Sequence, residues 1–444
     1  MIKISKWFPT NIIQDYISTI GNTLISNFQS SAISYMKFGN ICCNIDIIDL
    51  LTLRFDALKK KYVDLELYIY LCEIQQYKNK NGREILNLLS LNNTNVKKIC
   101  DARFEVLYNN QWIPFTFNPN NTISGNGLIT IRQLIIEHIG LYNKQIYQHL
   151  ISQHKEYFKN STKWVSLLDY IADTLDSCLL PSGQKLQRHT KGKRIGKRKS
   201  YDDQPYIIHY DKINNDQRND LIASLGIATC PYCNRQYITF WTGKNKNNKD
   251  VIHATADLDH YFQKSMYPLF ALSLFNFIPS CQLCNSRMKG SSPNRTLYPF
   301  EEGFQDNVKF KLSLSKDDEK SLLEMWLGTI SSDFAKIELL IDDSNGLDEQ
   351  YLLRVKNSDE TFRLVPIYQA HKMKAIETIL KKRIFLEGTY EFYLSDLLDK
   401  MNISSNYLTS SLERLLVGYD WNNENYDEPL SKMIHDIYLN DEYS

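Results

Sequence analysis

Between Cys230 and Gly290 the chain gathers the residue types that metal and hydrolytic chemistry require. Two Cys-x-x-Cys pairs, Cys230/Cys233 and Cys281/Cys284, bracket an Asp259-His260 dipeptide, and two asparagines follow, Asn276 and Asn285. Four thiolates suit a tetrahedral zinc ion, whereas Asp, Asn and His suit hydrolysis at a hard cation. Two knuckles complete a closed four-coordinate site, and a closed site is structural. The 47 residues between Cys233 and Cys281 exceed common zinc-finger spacings, so the intervening chain is expected to fold as its own unit. The other readings of the thiols are reduced core cysteines or a redox pair, although thioredoxin-like proteins use a single pair near a βαβ pattern.

The residues inside the bracket match what phosphodiester hydrolysis needs. One neutral imidazole, His260, can activate a water near neutral pH. One oxygen-ligated cation can neutralise the phosphorane and stabilise the leaving oxygen. The elements that must position these groups can also be read. Thr255–His260 alternates polar and apolar residues like a strand, which puts Asp257 and Asp259 on one side and His260 at the strand end. A loop with a short helical piece is expected over Lys264–Leu274, then a second strand over Asn276–Pro279. A helix starting at the second knuckle carries Asn285, Arg287 and Lys289. Arg287 and Lys289 either hold phosphate oxygens or are plain exposed helix charges. Asp257 is either an auxiliary ligand or a solvent-facing strand carboxylate. His253 lies close by in a hairpin region and could touch substrate, while the other histidines read as surface or satisfied core residues.

Strand, loop, strand and helix with Asp-His on the first strand is the layout of the ββα-metal fold. The stretch resembles HNH (His-Me finger) endonucleases, in the subgroup stapled by two Cys-x-x-Cys knuckles. The resemblance rests on Cys-Pro-Tyr-Cys, Asp-His, Lys-Ser-x-Tyr-Pro, Asn-x-x-Pro-x-Cys-x-x-Cys-Asn and the trailing Lys, in that order over residues 230–290. It implies that His260 is the general base, Asp259 the first catalytic metal ligand, and Asn276 the residue that ties down the loop and orients the base. Asn285 stands where many members have a final His, as second metal ligand. That exchange disfavours zinc or nickel and favours Mg2+ or Mn2+ as the catalytic ion, beside structural Zn2+ on the cysteines. Gln263 also departs from the family, where Pro is frequent. The implied activity is metal-dependent cleavage of nucleic acid, DNA first, leaving a 3′-hydroxyl and a 5′-phosphate.

Beyond the motif the chain is ordinary. It has 444 residues, 43% hydrophobic and 23% charged, with a net charge of +1. A polycation is excluded, so any nucleic-acid surface must be local. Nine cysteines without a disulfide-like framework, no signal peptide and no apolar run long enough for a membrane point to a cytoplasmic protein. The expected fold is mainly α, with a central zinc-stapled ββα-metal module and a small β-rich segment after it. The expected divisions are a helical domain over 1–180, a basic lead-in over 181–228, the nuclease module over 229–295 and a C-terminal α/β-to-helical domain over 296–444. Apolar stripes at helical spacing support the first division around residues 12–20, 47–58, 63–74, 134–138 and 167–175, with a loop-rich interruption over 109–127. Eight Lys or Arg lie between Lys185 and Lys199. They read as a solvated linker or as a flexible phosphate-binding arm, with Lys193, Arg194, Lys197, Arg198 and Lys199 as the nucleic-acid contacts. Val308–Leu314 alternates like a strand, with Ile337–Ile341 and Leu352–Val355 as its partners. The tail from Asp420 is acidic and reads as a solvated or partner-facing surface.

Two other functions stay open at this point. One is a zinc-stabilised nucleic-acid-binding module without catalysis. The other is an assembly subunit whose nuclease is silent or gated by a partner. Helical flanks around a knuckled core look similar to nuclease subunits of Septu-type bacterial antiphage systems, which pair with an ATPase. Cutting both strands would further call for a homo-oligomer.

Overall fold

The computed structural model describes residues 1–29, 35–38, 41–62, 65, 105–108, 111–114, 179–181, 183–191, 194–290, 296–304, 306–314, 319–342, 346–383, 389–401 and 427–439. It is about half helical, with small two-stranded sheets. The stripes expected around 134–138 and 167–175, most of the one at 63–74, and Lys193 lie outside the described residues. The chain divides into two compact units that are discontinuous in sequence. One, here the cysteine unit, comprises Met1–Phe8, Asp216–Asp259 and Pro279–Ser444; the other, the histidine unit, comprises Pro9–Asn215 and His260–Ile278.

In the histidine unit, helix Thr10–Tyr16 continues through a π-helical turn, Ile17–Gly21, into Asn22–Gln29. The apolar stripe at 47–58 forms two helices, Ile47–Thr52 and Phe55–Lys61, with Ile47, Leu50, Leu51, Phe55 and Leu58 buried. The Asp46 side chain caps the first by accepting from the Ile48 and Asp49 amides. The unit also holds three antiparallel hairpins, the first lying before these two helices in the chain: β1 (Tyr35–Phe38) with β2 (Ile41–Asn44), β3 (Glu105–Tyr108) with β4 (Gln111–Pro114), and β5 (Arg188–Lys191) with β6 (Arg194–Arg198). The last of these changes the reading of the basic segment. It forms a β-hairpin with an irregular register rather than a structureless linker or arm. Gln204 pins its base, donating to the Gln187 and Lys199 carbonyls and accepting from the Gln187 amide.

In the cysteine unit, helix Asn215–Leu225, which starts at the unit boundary, precedes hairpin β7 (Phe240–Lys244) and β8 (Asp250–Ala254). Short strands β9 (Asp257–His260) and β10 (Phe277–Ser280) carry the chain out of this unit and back. A π-helical segment, Leu283–Lys289, follows at the second knuckle. The alternation at 308–314 appears as β11 (Val308–Leu314), paired with β12 (Ala335–Ile341), with Val308, Phe310, Leu312, Ala335 and Ile337 buried.

Two expectations are corrected here. Leu352–Val355 is not a third strand but part of helix Glu349–Phe362. Tyr351, Val355, Ser358 and Phe362, all buried, recur at helical spacing, and half-buried Arg354 pairs with Glu302. A run as short as Leu-Leu-Arg-Val does not separate strand from helix. The acidic tail is likewise not all surface. Helix Ser431–Leu439 buries Met433, Ile434 and Ile437, together with a Lys432–Asp436 ion pair (2.5 Å), and Asp436 also accepts from the Phe310 amide of β11. No helix among the described residues is long and apolar enough to cross a membrane.

Candidate metal centre and histidine loop

The two knuckles come together. Cys230, Cys233, Cys281 and Cys284 are all buried, with their sulfur atoms within 4.8 Å of one another. Cys233 Sγ and Cys281 Sγ are 4.0 Å apart, and none of the four is in a disulfide. A tetrahedral ion with metal–sulfur bonds of about 2.3 Å places its sulfurs roughly 3.8 Å apart, so the cluster could hold a metal such as zinc. Burial pushes the Cys230 thiol well above its ordinary range. A cation would reverse that by stabilising thiolates. Among the described residues this is the one group of three or more His, Cys, Asp or Glu side chains that could hold a metal ion.

The knuckle backbones are tied down by groups far away in the sequence. Asn234 adopts a left-handed conformation (φ 43°) that closes the first turn, and its amide donates to the Cys230 carbonyl. Its side chain donates to Thr229 and to the Glu428 carbonyl, and accepts from the Lys432 amide at the start of the last helix. Tyr368 donates its hydroxyl to the Cys233 carbonyl. Neither Asn234 nor Tyr368 stands out in the sequence, because their partners lie up to about 200 positions away.

Behind the knuckles, also in the cysteine unit, lies a buried charge pair. Asp259 Oδ2 accepts from Lys289 Nζ (2.5 Å) and from the Tyr232 hydroxyl (2.6 Å). Asp259 and Lys289 side chains are only 7% and 6% exposed. Burial pushes the Lys289 ammonium below its usual range, and Asp259 opposes that shift. Lys289 is thus neither an exposed helix charge nor directed at a phosphate; it is committed to Asp259. Tyr232 is stacked on Phe362 (4.5 Å), which fixes the hydroxyl. Asn285 Nδ2 donates to Asp257 Oδ2 (3.0 Å), and both residues are half-buried. Arg287 is exposed. The two expected ligands of a catalytic cation therefore each have a different first partner, Lys289 for Asp259 and Asp257 for Asn285.

In the histidine unit, His260 Nε2 lies 3.0 Å from the Ala271 carbonyl oxygen. A carbonyl can only accept, so Nε2 is the donor in this contact. Tyr210 and Phe277 meet the imidazole edge-on, at 4.5 and 5.2 Å. The loop beyond it is closed by Asn276, which is fully buried. Its Oδ1 accepts from the Phe262 amide (2.7 Å), and its Nδ2 donates to the Phe262 (2.9 Å) and Phe270 (2.8 Å) carbonyls. Tyr261 donates its amide to the Asn276 carbonyl. The loop is seated on the N-terminal helices. Tyr16 donates to the Leu272 carbonyl, Ser273 donates to the Leu50 carbonyl, and Phe55 packs edge-on against Phe262 and Phe270. Lys264 pairs with Asp202 and lies over the Tyr201 and Tyr210 rings. Tyr210 is a neighbour of His260 that the sequence does not reveal; it is one of 28 tyrosines. On the basic hairpin, Lys199 is half-buried and donates its amide to the Gln187 carbonyl, and Arg194, Lys197 and Arg198 lie on β6.

The chain matches no known family model, no curated protein and no solved structure.

Two substitutions test these networks. Lys289→Met leaves Asp259 buried without its counter-charge and should cost about 3–5 kcal/mol in urea unfolding, whereas adding Asp259→Leu should recover most of that loss. Asn276→Ala strips one amide and two carbonyls of their buried partner and should cost about 2–4 kcal/mol in the same measurement.

Proposed function

We propose that the chain is a metal-dependent endonuclease of the HNH type that hydrolyses nucleic-acid phosphodiester bonds, DNA foremost, with a structural zinc on Cys230, Cys233, Cys281 and Cys284. The observation that carries this reading is the state of His260. Its Nε2 lies against the Ala271 carbonyl, the contact of the Nε2–H tautomer that a general base acting through Nδ1 requires, two aromatic rings pack on the imidazole, and Asn276 clamps the loop beyond it.

In this mechanism His260 Nδ1 takes a proton from a water whose oxygen attacks phosphorus. The bond from phosphorus to the 3′ oxygen breaks, that oxygen is protonated from solvent, and a 3′-hydroxyl and a 5′-phosphate result. Asn276 fixes the loop that offers the Ala271 carbonyl and so keeps the imidazole in one tautomer. Arg287, which is exposed, would hold a phosphate oxygen. Mg2+ or Mn2+ would neutralise the charge that develops at phosphorus. Asp257, Asp259 and the Asn285 carboxamide carry hard oxygens of the kind such an ion takes, and binding through Asp259 would compete with Lys289. Magnesium needs few protein ligands beside water and phosphate. Asn285, standing where many HNH enzymes have a histidine, fits that preference. A thiol-rich chain without disulfides at the knuckles is in keeping with a cytoplasmic enzyme. In this reading it is a defence effector, joined where needed by an ATPase subunit or by a second copy that cuts the opposite strand.

The test is cleavage of supercoiled plasmid, single-stranded DNA and total RNA by the purified chain, with Mg2+ or Mn2+ and with EDTA. Wild type should cut only with the divalent ion. His260→Ala should lower the rate at least about 100-fold, the usual scale for losing a general base. Cleavage that His260→Ala leaves unchanged would refute the assignment.

A further inference from the structure

The β7–β8 hairpin in the cysteine unit has features that neither the metal centre nor the hydrolytic residues explain. Trp241 and His253 are directly opposed in its register, and their rings are stacked at 5.4 Å and 24°. Trp241 nevertheless remains 51% exposed. Gly243 lies on the same face. A Cβ there would come within 2.7 Å of His253 Cδ2, so the glycine is what lets the imidazole lie across the strand and against the indole. On the other face Phe240 is 41% exposed.

The turn of the same hairpin is basic. Lys244, Lys246 and Lys249 face a single acidic residue, Asp250, which pairs with Lys244 at 2.7 Å. Lys246 and Lys249 are exposed. Asn245 orders the turn by accepting from the Asn247 and Lys249 amides, so the lysines sit on a defined loop. At the other end, Asn219 holds the hairpin to helix Asn215–Leu225 by donating to the Ile252 carbonyl (2.9 Å).

We propose that this hairpin is a stacking platform for an unpaired base of a nucleic-acid strand, with Trp241, braced by His253, against the base and Lys246 and Lys249 on the flanking phosphates. An exposed indole flanked by ammonium groups and asparagines fits a base and its backbone; an apolar protein surface would leave the lysines without counter-charges. A base inside a duplex offers its edge but not its face, so the occupant is single-stranded or locally opened. The lysines contribute through the backbone and give no sequence preference. This inference rests on the nuclease reading for its biological meaning, but its test does not depend on cleavage.

The experiment is fluorescence anisotropy of the full chain with a labelled single strand and with the matching duplex, in EDTA, over a range of salt. Wild type should bind the single strand more tightly than the duplex. Trp241→Ala should weaken that binding roughly 5- to 100-fold, the range for losing one base–aromatic stack. Trp241→Phe should keep most of it. Gly243→Ala, which forces the His253 ring away, should weaken binding without loss of the bound metal. Lys246→Gln with Lys249→Gln should lower the slope of log affinity against log salt by about 1.4, two phosphates' worth. Trp241→Ala binding within about twofold of wild type would overturn the proposal. So would a wild type that binds neither strand form, which would assign the face to a protein partner. Cleavage by His260→Ala, measured beside strand binding by Trp241→Ala, separates the two readings. If His260→Ala abolishes cleavage while Trp241→Ala binds normally, the nuclease stands and the platform falls. If Trp241→Ala loses the strand while His260→Ala has no cleavage to lose, the platform stands and the nuclease falls.

Discussion

Four buried thiols within 4.8 Å of one another are the constraint on which the rest of the cysteine unit depends. Packed this closely and shielded from water, they cannot all ionise unless a cation sits among them. With one, the cluster joins two segments that are 47 residues apart and closes the chain between them into a loop. The surrounding fold is arranged to keep the knuckles in place. Tyr368 holds the Cys233 carbonyl, and Asn234 reaches the start of the last helix, which in turn is fixed to β11 through Asp436.

Away from the cluster, specificity comes from buried polar groups that have one good arrangement each. Asn276 satisfies three backbone groups of one loop, and few other side chains carry a donor pair and an acceptor in that geometry. Lys289 and Asp259 are tolerable in the core only as a pair, with Tyr232 filling out the carboxylate. Such networks contribute less through their net energy than through what misplacing them would cost. They set the rotamers on which any chemistry at His260 or around Asp259 depends.

The sequence is most legible where spacing carries chemistry. The cysteine pairs, the strand ending at His260 and the alternation of Val308–Leu314 could be read because each is a local pattern with one physical meaning. The loop-tying role of Asn276 follows only from the resemblance; nothing in its neighbourhood announces a loop clamp. Leu352–Val355 is ambiguous in the sequence because three apolar residues around an arginine fit either period, and burial at 351, 355 and 362 decides it only over a longer window. Phosphate contact and exposed helix charge are the readings the sequence allows for Lys289, because its partner, Asp259, lies 30 residues earlier and a helix face cannot be oriented from its own sequence. The basic run at 185–199 has no apolar period, so nothing local marked it as a hairpin pinned by Gln204. Tyr210, Asn234 and Tyr368 matter through partners distant in the chain, which no local pattern records.

The most direct test of this account is the coordination of the metal in the purified protein, measured by elemental analysis and X-ray absorption at the zinc edge. It predicts one zinc per chain with four sulfur neighbours at about 2.3 Å, lost together with the folded cysteine unit in Cys281→Ser. A folded protein without metal, or zinc bound by nitrogen and oxygen rather than sulfur, would contradict it.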